Sequence, residues 1–572
     1  MFASILTSAA AATTNATLRA PLDKPNFIMM FVDDLGYGDV GFTGHPTTAT
    51  PTIDKLAFSG KVLTTWYSAC PVCSASRASI MTGRQWTRFG IPGVLGPTTA
   101  SGLPLNETTI ASELKQSGYA TGVVGKWHLG QREAYLPASR GFDAYLGVPY
   151  SVDMGAARAS PCGSPSATTA GISAATSALE SLLQPYIESG FSQPLTAPEA
   201  SDPAGDFLPL VSQRRSQADG RVHTTVVESQ PLDFTSLSTK YTAFVNGFID
   251  EHSTSPFFLY MPFSHVHTTR ANQPERQYCG CDAKNATRRG PFGDALAEVD
   301  DLIAATMSRV EKHSLARNTL VLFTGDNGPW MVQGNSGGSP GLLSGRYSGY
   351  WNVGKGSTWE GGIREAAFAY WPGMIQPFTR SAEVVSSMDV FPTLLALAGG
   401  TLPSDRTYDG RDARSVLLDV GGKSKHTVLF FYGSSVYNQT SDPMVALPNA
   451  ARYGPYKAHW VTAAGLSGCK PGHAAPIGCP TVHYTNGPLI FNVEEDPAES
   501  IALCANTTTP SDPELARVVN VLQSAYAKEI AGKIVRPSPP APDGPGEGPG
   551  TYGICCNRTK GCDCDGKPSP PR

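Results

Sequence analysis

NFIMMFVDD, residues 26–34, is a run of apolar side chains closed by two carboxylates. It has no alternation of apolar and polar positions, so both of its faces must be covered. That pattern predicts an interior strand of a parallel sheet. Working outward, a related order returns three times. Ile110 to Gln116 carries Ile110 and Leu114 one turn apart and stops near Gly118; the strand-like YATGVV (119–124) then leads into Gly125-Lys126-Trp127-His128. Tyr241, Phe244, Phe248 and Ile249 keep helical spacing, and PFFLYMPF (256–263) runs into Ser264-His265-Val266-His267. Leu296, Val299, Ile303, Met307 and Val310 make one apolar stripe, and TLVLF (319–323) runs into Thr324-Gly325-Asp326-Asn327-Gly328. Helix, buried strand and polar cluster in repeated alternation predict an α/β fold built on a doubly wound sheet. The carboxyl ends of parallel strands share one edge, where ligands bind. Asp33, Asp34, Lys126, His128, His267, Asp326 and Asn327 are remote in sequence and are expected to converge there.

The rest of the chain reads differently. Residues 155–230 are rich in Ser, Ala, Pro and Thr and are expected to form a surface insertion in a catalytic domain spanning 25–424. From about 425 the pattern turns to short strands (HTVLFFY, KAHWVTA, PLIFNV), which predict a smaller C-terminal antiparallel sheet over 425–535. Residues 536–572 are a Pro/Gly-rich linker, PSPPAPDGPGEGPG, and a Cys-rich tail. Residues 1–24 read equally as a clipped signal-like leader or a disordered tail.

With 572 residues, 41% hydrophobic and 16% charged, the chain is globular rather than disordered. A net charge of -4 and the lack of any basic block exclude a nucleic-acid partner. No apolar run reaches the roughly 20 residues of a transmembrane helix. Most of the 12 cysteines fall in close pairs, such as Cys279 with Cys281 and Cys469 with Cys479, or in the tail cluster Cys555, Cys556, Cys562 and Cys564, with Cys504 between. The tail has neither regular C-x-x-C pairs nor histidines, so disulfides are favoured over zinc. Sequons at Asn15, Asn106, Asn285, Asn438, Asn506 and Asn557 agree with an oxidising compartment. Together these predict passage through the secretory pathway.

The chemistry starts from hard oxygen donors. Asp33, Asp34, Asp326 and Asn327 suit Ca²⁺, with Mg²⁺ as a second choice, and not a soft metal. A DNG triplet alone is more often a turn; here it follows an apolar strand. The segment Cys70-Pro-Val-Cys73-Ser-Ala-Ser-Arg77-Ala-Ser-Ile-Met-Thr-Gly-Arg84 predicts a helix over Ser74–Thr82 stopped by Gly83. Cys73 would lie at its N-terminus, where amide groups and the helix dipole favour an anion, with Arg77 one turn on. A Cys70–Cys73 disulfide, or two buried thiols, would explain the same residues.

The string C-S-A-S-R (73–77) with M-T-G-R (81–84) resembles the signature of the type I sulfatase family, Cys-x-(Pro or Ala)-x-Arg followed by Leu-Thr-Gly-Arg. The resemblance continues through FVDDLGYGDVG, GHPTTATPTIDKLAFSG, VVGKWHLG, PFGDALAEVDD, TGDNG, GKGSTWEGGIRE and SSMDVFPTLLALAG. It covers nearly all of the chain outside 155–230 and the ends. PGVLGPTTASGLPLNE, GVPYS and YKAHWVT look most like the arylsulfatase A branch.

This resemblance implies an alkaline-phosphatase-like mixed sheet and hydrolysis of a sulfated lipid, glycan or aryl sulfate. It implies that Cys73 is oxidised to formylglycine, a protein-derived cofactor, by a formylglycine-generating enzyme. One hydroxyl of the hydrated aldehyde attacks sulfur and the alcohol leaves; the other loses its proton, the aldehyde reforms and sulfate departs. Asp33, Asp34, Asp326 and Asn327, with residue 73 itself, match the calcium ligands. Arg77 and Lys126 match groups that hold the hydrate, and His128 the residue that takes its proton. His267 and Lys355 match groups that contact sulfate and protonate the leaving oxygen, and Ser151 a substrate-contacting serine. Calcium with Arg77, Lys126 and Lys355, set against Asp33, Asp34 and Asp326, leaves a formal surplus of two positive charges, which favours an anion.

Some positions depart from the arylsulfatase A pattern: Val353 stands where that branch has a cysteine, Cys162 alone remains of its mid-chain cysteines, and Ala366 replaces a proline. Two other readings compete. A phosphatase or phosphodiesterase of the same superfold would need a Ser or Thr nucleophile and a second metal; a catalytically silent glycoprotein would keep Cys73 unmodified. Self-association into a homo-oligomer is left open.

Overall fold

The computed structural model describes residues 24–91, 93–97, 99, 101–157, 207–215, 225–269, 279–280, 283, 285–433, 447–468 and 480–532. Ten strands form its main sheet: β1 (Asn26–Val32), β2 (Lys61–Leu63), β3 (Ala120–Lys126), β4 (Ala144–Val148), β5 (Leu210–Arg214), β6 (Val226–Ser229), β7 (Phe257–Pro262), β8 (Thr319–Gly325), β9 (Phe368–Tyr370) and β10 (Thr379–Ser381). Their spatial order is β10-β2-β9-β8-β1-β7-β3-β4-β5-β6. The five central strands, β8-β1-β7-β3-β4, are mutually parallel. Antiparallel pairs join β9 to β8 and β5 to β4, so the sheet is mixed.

The uninterrupted apolar run of β1 finds the two covered faces it requires. Phe27, Met29 and Phe31 pack with residues of α2 (Cys73–Thr82), α3 (Ile110–Gln116) and α6 (Val390–Leu397). Ile28, Met30 and Val32 pack with α1 (Pro51–Phe58), α4 (Leu237–Glu251) and α5 (Gly290–Lys312). Each large apolar side chain so buried contributes about 1.5–3 kcal/mol. The expected α/β doubly wound architecture is therefore the observed one.

Residues 155–230 do not form only a surface insertion. Leu210–Arg214 and Val226–Ser229 are strands β5 and β6 at one end of the sheet, and Leu208 and Leu210 are fully buried. Both strands are short and carry Ser212, Gln213, Arg214, Glu228 and Ser229 beside few apolar residues, so the polar composition concealed them. Residues 158–206 and 216–224 lie outside the described residues, as do Cys162, residues 1–23 and the tail. At the C-terminal end, β11 (Leu429–Phe431), β12 (Ala450–Tyr453), β13 (Tyr456–His459) and β14 (Leu489–Asn492) form an antiparallel sheet. The sequence reading missed α7 (Pro513–Ala531), whose Leu515, Val518 and Leu522 pack on Ala451, Ala458 and Ile490 of that sheet. Asp512 caps α7 by accepting from the Leu515 N–H at 2.7 Å.

Cys70 and Cys73 are separate buried thiols, not a disulfide, and Cys504 is also a free thiol, against the disulfide expected of it. Every other cysteine except Cys279 lies outside the described residues. Asn106, Asn285 and Asn506 are exposed, while Asn15, Asn438 and Asn557 fall outside the described residues. No described helix is long and apolar enough to cross a membrane.

Candidate active site

The parallel strands deliver their polar ends to one edge. Val32 of β1 pairs with Gly325 of β8, so Asp33 and Asp326 emerge side by side, tied by the Asp326 N–H to Val32 O bond of 3.0 Å. Asp34 then takes a left-handed turn (φ 56°) that brings its N–H to Asp326 Oδ1 at 3.1 Å. β7 is followed by His265 and His267, β3 ends on Lys126, and β4 is followed by Ser151. Facing this edge, α2 begins at Cys73 and not at Ser74, and it ends where Gly83 adopts φ 67°. A Cβ on Gly83 would lie 2.9 Å from that of Phe391, so glycine is required twice over. Lys355 arrives from a loop between β8 and β9.

These side chains form one buried network. Cys73 Sγ lies 3.6 Å from Asp33 Oδ1. Arg77 donates through Nε and Nη2 to Asp326 Oδ2 at 3.0 and 2.8 Å, and through Nη1 to the Lys126 carbonyl at 2.8 Å. Lys126 donates to Asp33 Oδ2 at 2.6 Å and to Ser151 Oγ at 3.2 Å. Lys355 reaches both oxygens of Asp34, at 2.7 and 2.9 Å, and His267 Nε2 at 3.1 Å. Asn327 Nδ2 donates to Asp34 Oδ1 at 2.8 Å, which leaves its Oδ1 buried with no partner among the described residues.

The two imidazoles are set up differently. His267 Nδ1 lies 2.8 Å from the Thr268 carbonyl, which can only accept. Its proton is therefore assigned to Nδ1, and Nε2 is left as the acceptor for the Lys355 ammonium. His128 Nε2 is 2.9 Å from the Leu95 carbonyl, while its Nδ1 is buried with no partner among the described residues. Burial, then the charges of Lys126 and Arg77, lower the His128 pKa well below its ordinary value, so the ring is neutral with Nδ1 open.

The charge pattern suits a bound cation and an anion together. Burial pushes the Cys73 thiol up to about 12, against the pull of Lys126 and Lys355. Burial also raises Asp33, but neighbouring cations, Lys126 and Arg77 foremost, outweigh it and hold that carboxyl well below the usual range. Asp326 is pushed up by burial and by the charge of Asp33. Ligand atoms of Asp33, Cys73 and Asp326 lie within 4.8 Å of one another, as do those of Asp34, Cys73 and His267. Crowded carboxylates plus an unpartnered buried amide oxygen are the donor set of a hard divalent cation, so the residues present fit such a metal.

The sulfatase family model matches residues 25–400, and the model for the C-terminal region of aryl-sulfatase matches residues 424–564. The chain is a sulfatase. Bovine (Bos taurus) arylsulfatase A is 36% identical over 561 residues, covering 96% of this chain and 95% of that protein. Dog (Canis lupus familiaris) arylsulfatase G is 36% identical, covering 84% of this chain and 81% of that one. The crystal structure of the PsFucS1 sulfatase from Pseudoalteromonas sp. superposes with a TM-score of 0.66 at 26% identity, over 89% of this chain and 91% of that one. This sulfatase thus has the alkaline-phosphatase-like fold expected of its sequence, is a sulfuric ester hydrolase and acts on a sulfated substrate.

The residues expected to carry catalysis, hold the sulfate or bind the metal meet at this one edge. Three neighbours were missed. The Trp330 ring lies 5.5 Å from the His267 ring and 5.0 Å from Lys355 Nζ. Asp153 stands 4.0 Å from His267 Nδ1. Glu365 is fully buried, and burial followed by the charge of Asp326 raises its pKa well above the ordinary value. The GGIRE string held a signal for Glu365; nothing local marked Trp330 or Asp153.

Proposed function

We propose that this sulfatase cleaves sulfate monoesters with a formylglycine derived from Cys73 and a calcium ion held by Asp33, Asp34, Asp326, Asn327 and residue 73. The single observation that carries the reading is the place of Cys73: buried at the N-terminus of α2, 3.6 Å from Asp33 Oδ1, in a ring of three buried cations and three buried carboxylates. As a thiol held up near 12 by burial, Cys73 would be a poor nucleophile at neutral pH. The modified residue supplies a hydroxyl that attacks sulfur and a second hydroxyl through which sulfate is released, and bound calcium supplies positive charge to the sulfate oxygens.

The chain's own residues do the remainder. Lys126 and Lys355 hold the sulfate oxygens, and Ser151 orients them through its contact with Lys126. Arg77, fixed by Asp326 and the Lys126 carbonyl, keeps residue 73 and the carboxylates in register. The Lys355–His267 pair protonates the departing oxygen: Lys355 carries the proton at rest and hands it on through Nε2. Neutral His128 takes a proton at Nδ1 when sulfate is released.

The substrate class is a sulfated lipid, glycan or aryl sulfate. Maturation would involve a formylglycine-generating enzyme, calcium rather than magnesium would fill the site, and the protein would be glycosylated and travel the secretory pathway to be secreted or lodged in lysosomes. The limits 25–424 and 425–535 stand as the proposed catalytic and C-terminal units.

The test is the mass of the tryptic peptide ending at Arg77, with activity on 4-nitrophenyl sulfate measured on the same sample. The expected peptide has –CHO in place of –CH2SH, and turnover scales with its fraction. A wholly unmodified, fully active preparation would overturn the reading; an unmodified, inactive one would support the silent-glycoprotein alternative.

A further inference from the structure

Of the three cations in the site, Arg77 stands on α2 and Lys126 ends β3, whereas Lys355 sits in a loop with no regular structure of its own. A lysine reaches its target through four rotatable bonds, so the place of its Nζ depends on how firmly its backbone is held. The Lys355 N–H donates to the Pro329 carbonyl at 2.9 Å, just past Asn327. Its carbonyl accepts from the Leu466 N–H at 2.6 Å. Leu466 belongs to the C-terminal part of the chain, after the short strand Val461–Thr462.

Asn352 ties the same two segments together. It is fully buried, and its Nδ2 donates to the carbonyls of Leu466 and Gly468 at 2.9 and 2.8 Å. Its own carbonyl accepts from the Gly465 N–H at 2.9 Å. The two loops touch backbone to backbone. A Cβ on Gly356, which has φ +92°, would lie 2.7 Å from Leu466 N, and one on Gly465 would lie 2.4 Å from Asn352 Oδ1 and 2.8 Å from the Lys355 carbonyl. Farther along, Lys457 of β13 meets Glu360 at 2.8 Å and the His459 ring packs against Trp359 with centroids 4.7 Å apart, so the C-terminal sheet grips the stretch that follows Lys355 as well.

We infer that Asn352 is a positioning residue: it docks the 465–468 loop onto the Lys355 loop and so sets the place of Lys355 Nζ between Asp34 and His267. The C-terminal sheet region is thereby a working part of the sulfate site and not only a packed appendage. This rests on the reading of Lys355 as a sulfate contact and proton donor. A misplacement of about 1 Å at a reacting group costs on the order of 100-fold.

The experiment is a double-mutant cycle on the full-length, calcium-loaded enzyme: wild type, Asn352→Ala, Lys355→Ala and the double variant, each with kcat and KM for 4-nitrophenyl sulfate and a thermal midpoint. Asn352→Ala is expected to lower kcat by about 10–100-fold with a smaller change in KM. In the Lys355→Ala background it should lower the thermal midpoint equally but leave kcat unchanged. The same factor lost from kcat in both backgrounds would overturn the inference, as would a lowered midpoint with wild-type kcat. Should Asn352→Ala not fold, Gly465→Ala presses on the same pair from the other side and is held to the same outcomes. Wild-type activity in Lys355→Ala would instead bring down the underlying role of Lys355, which the cycle reads separately.

Discussion

Replacing His267 by alanine separates two roles that its position permits, proton donor and sulfate contact. The ring is buried, with Nε2 at 3.1 Å from Lys355 Nζ and 3.5 Å from Ser151 Oγ. A general acid is worth about 100- to 10,000-fold in rate, or about 2.7–5.4 kcal/mol. Lys355 remains as a second donor at the same point, so the low end applies. For an alkyl or sugar sulfate, whose oxygen must be protonated as it leaves, kcat/KM should fall about 100-fold, or about 3 kcal/mol. For an activated aryl sulfate such as 4-nitrophenyl sulfate, which leaves as a stable phenolate, the fall should be under about tenfold. Steady-state assays on both substrate types, with circular dichroism to confirm folding, make the comparison. Equal losses on the two would refute proton donation by His267 and leave it a sulfate contact alone.

Further outcomes are expected. Cys73→Ser should fold normally, since one buried atom is exchanged for a slightly smaller one, yet lose steady-state turnover; wild-type rates would remove formylglycine from the mechanism. Chelation should abolish activity and lower the thermal midpoint, because an ion that binds the folded site and not the unfolded chain stabilises the fold while it is bound, and added calcium should restore both; an enzyme indifferent to chelator would count against a metal there. Stability should fall in acid through Glu360. Burial raises this carboxyl, but Lys457, Arg364 and Arg452 outweigh it and hold it at about 2, against 4.5 for an ordinary glutamate. Between these values the unfolded chain binds more protons than the folded one, so the stabilisation is complete above 4.5 and lost as pH falls towards 2. His459, lowered from 6.5 chiefly by burial, adds to the acid sensitivity because it must charge on unfolding. Urea midpoints for Glu360→Gln should be lower at neutral pH and flatter across the acid range; a slope matching wild type would exclude Glu360 as a source.

The strands, their order of appearance and the edge that carries the chemistry were legible in the sequence, because an interior parallel strand cannot hide its apolar run and parallel strands must end together. That alone brought Asp33, Asp34, Lys126, His128, His267, Asp326 and Asn327 to one place. The family signature gave a role to Cys73 and Arg77, already set at the start of a predicted helix, and added Ser151 and Lys355, which no periodicity singled out. Tertiary structure decided the rest. The strands β5 and β6 escaped notice because they are short and polar residues such as Ser212, Gln213 and Glu228 interrupt their apolar positions. Trp330 became a wall of the site only when its loop folded over Lys355 and His267. Which nitrogen of each histidine is open was set by the carbonyls of Leu95 and Thr268, groups that every residue possesses and no sequence pattern reports. The anchoring of Lys355 by Asn352, Leu466 and Gly468 is of the same kind: the bonds run between backbone and side chain across more than a hundred residues, and only the docking of the C-terminal sheet brings them into reach.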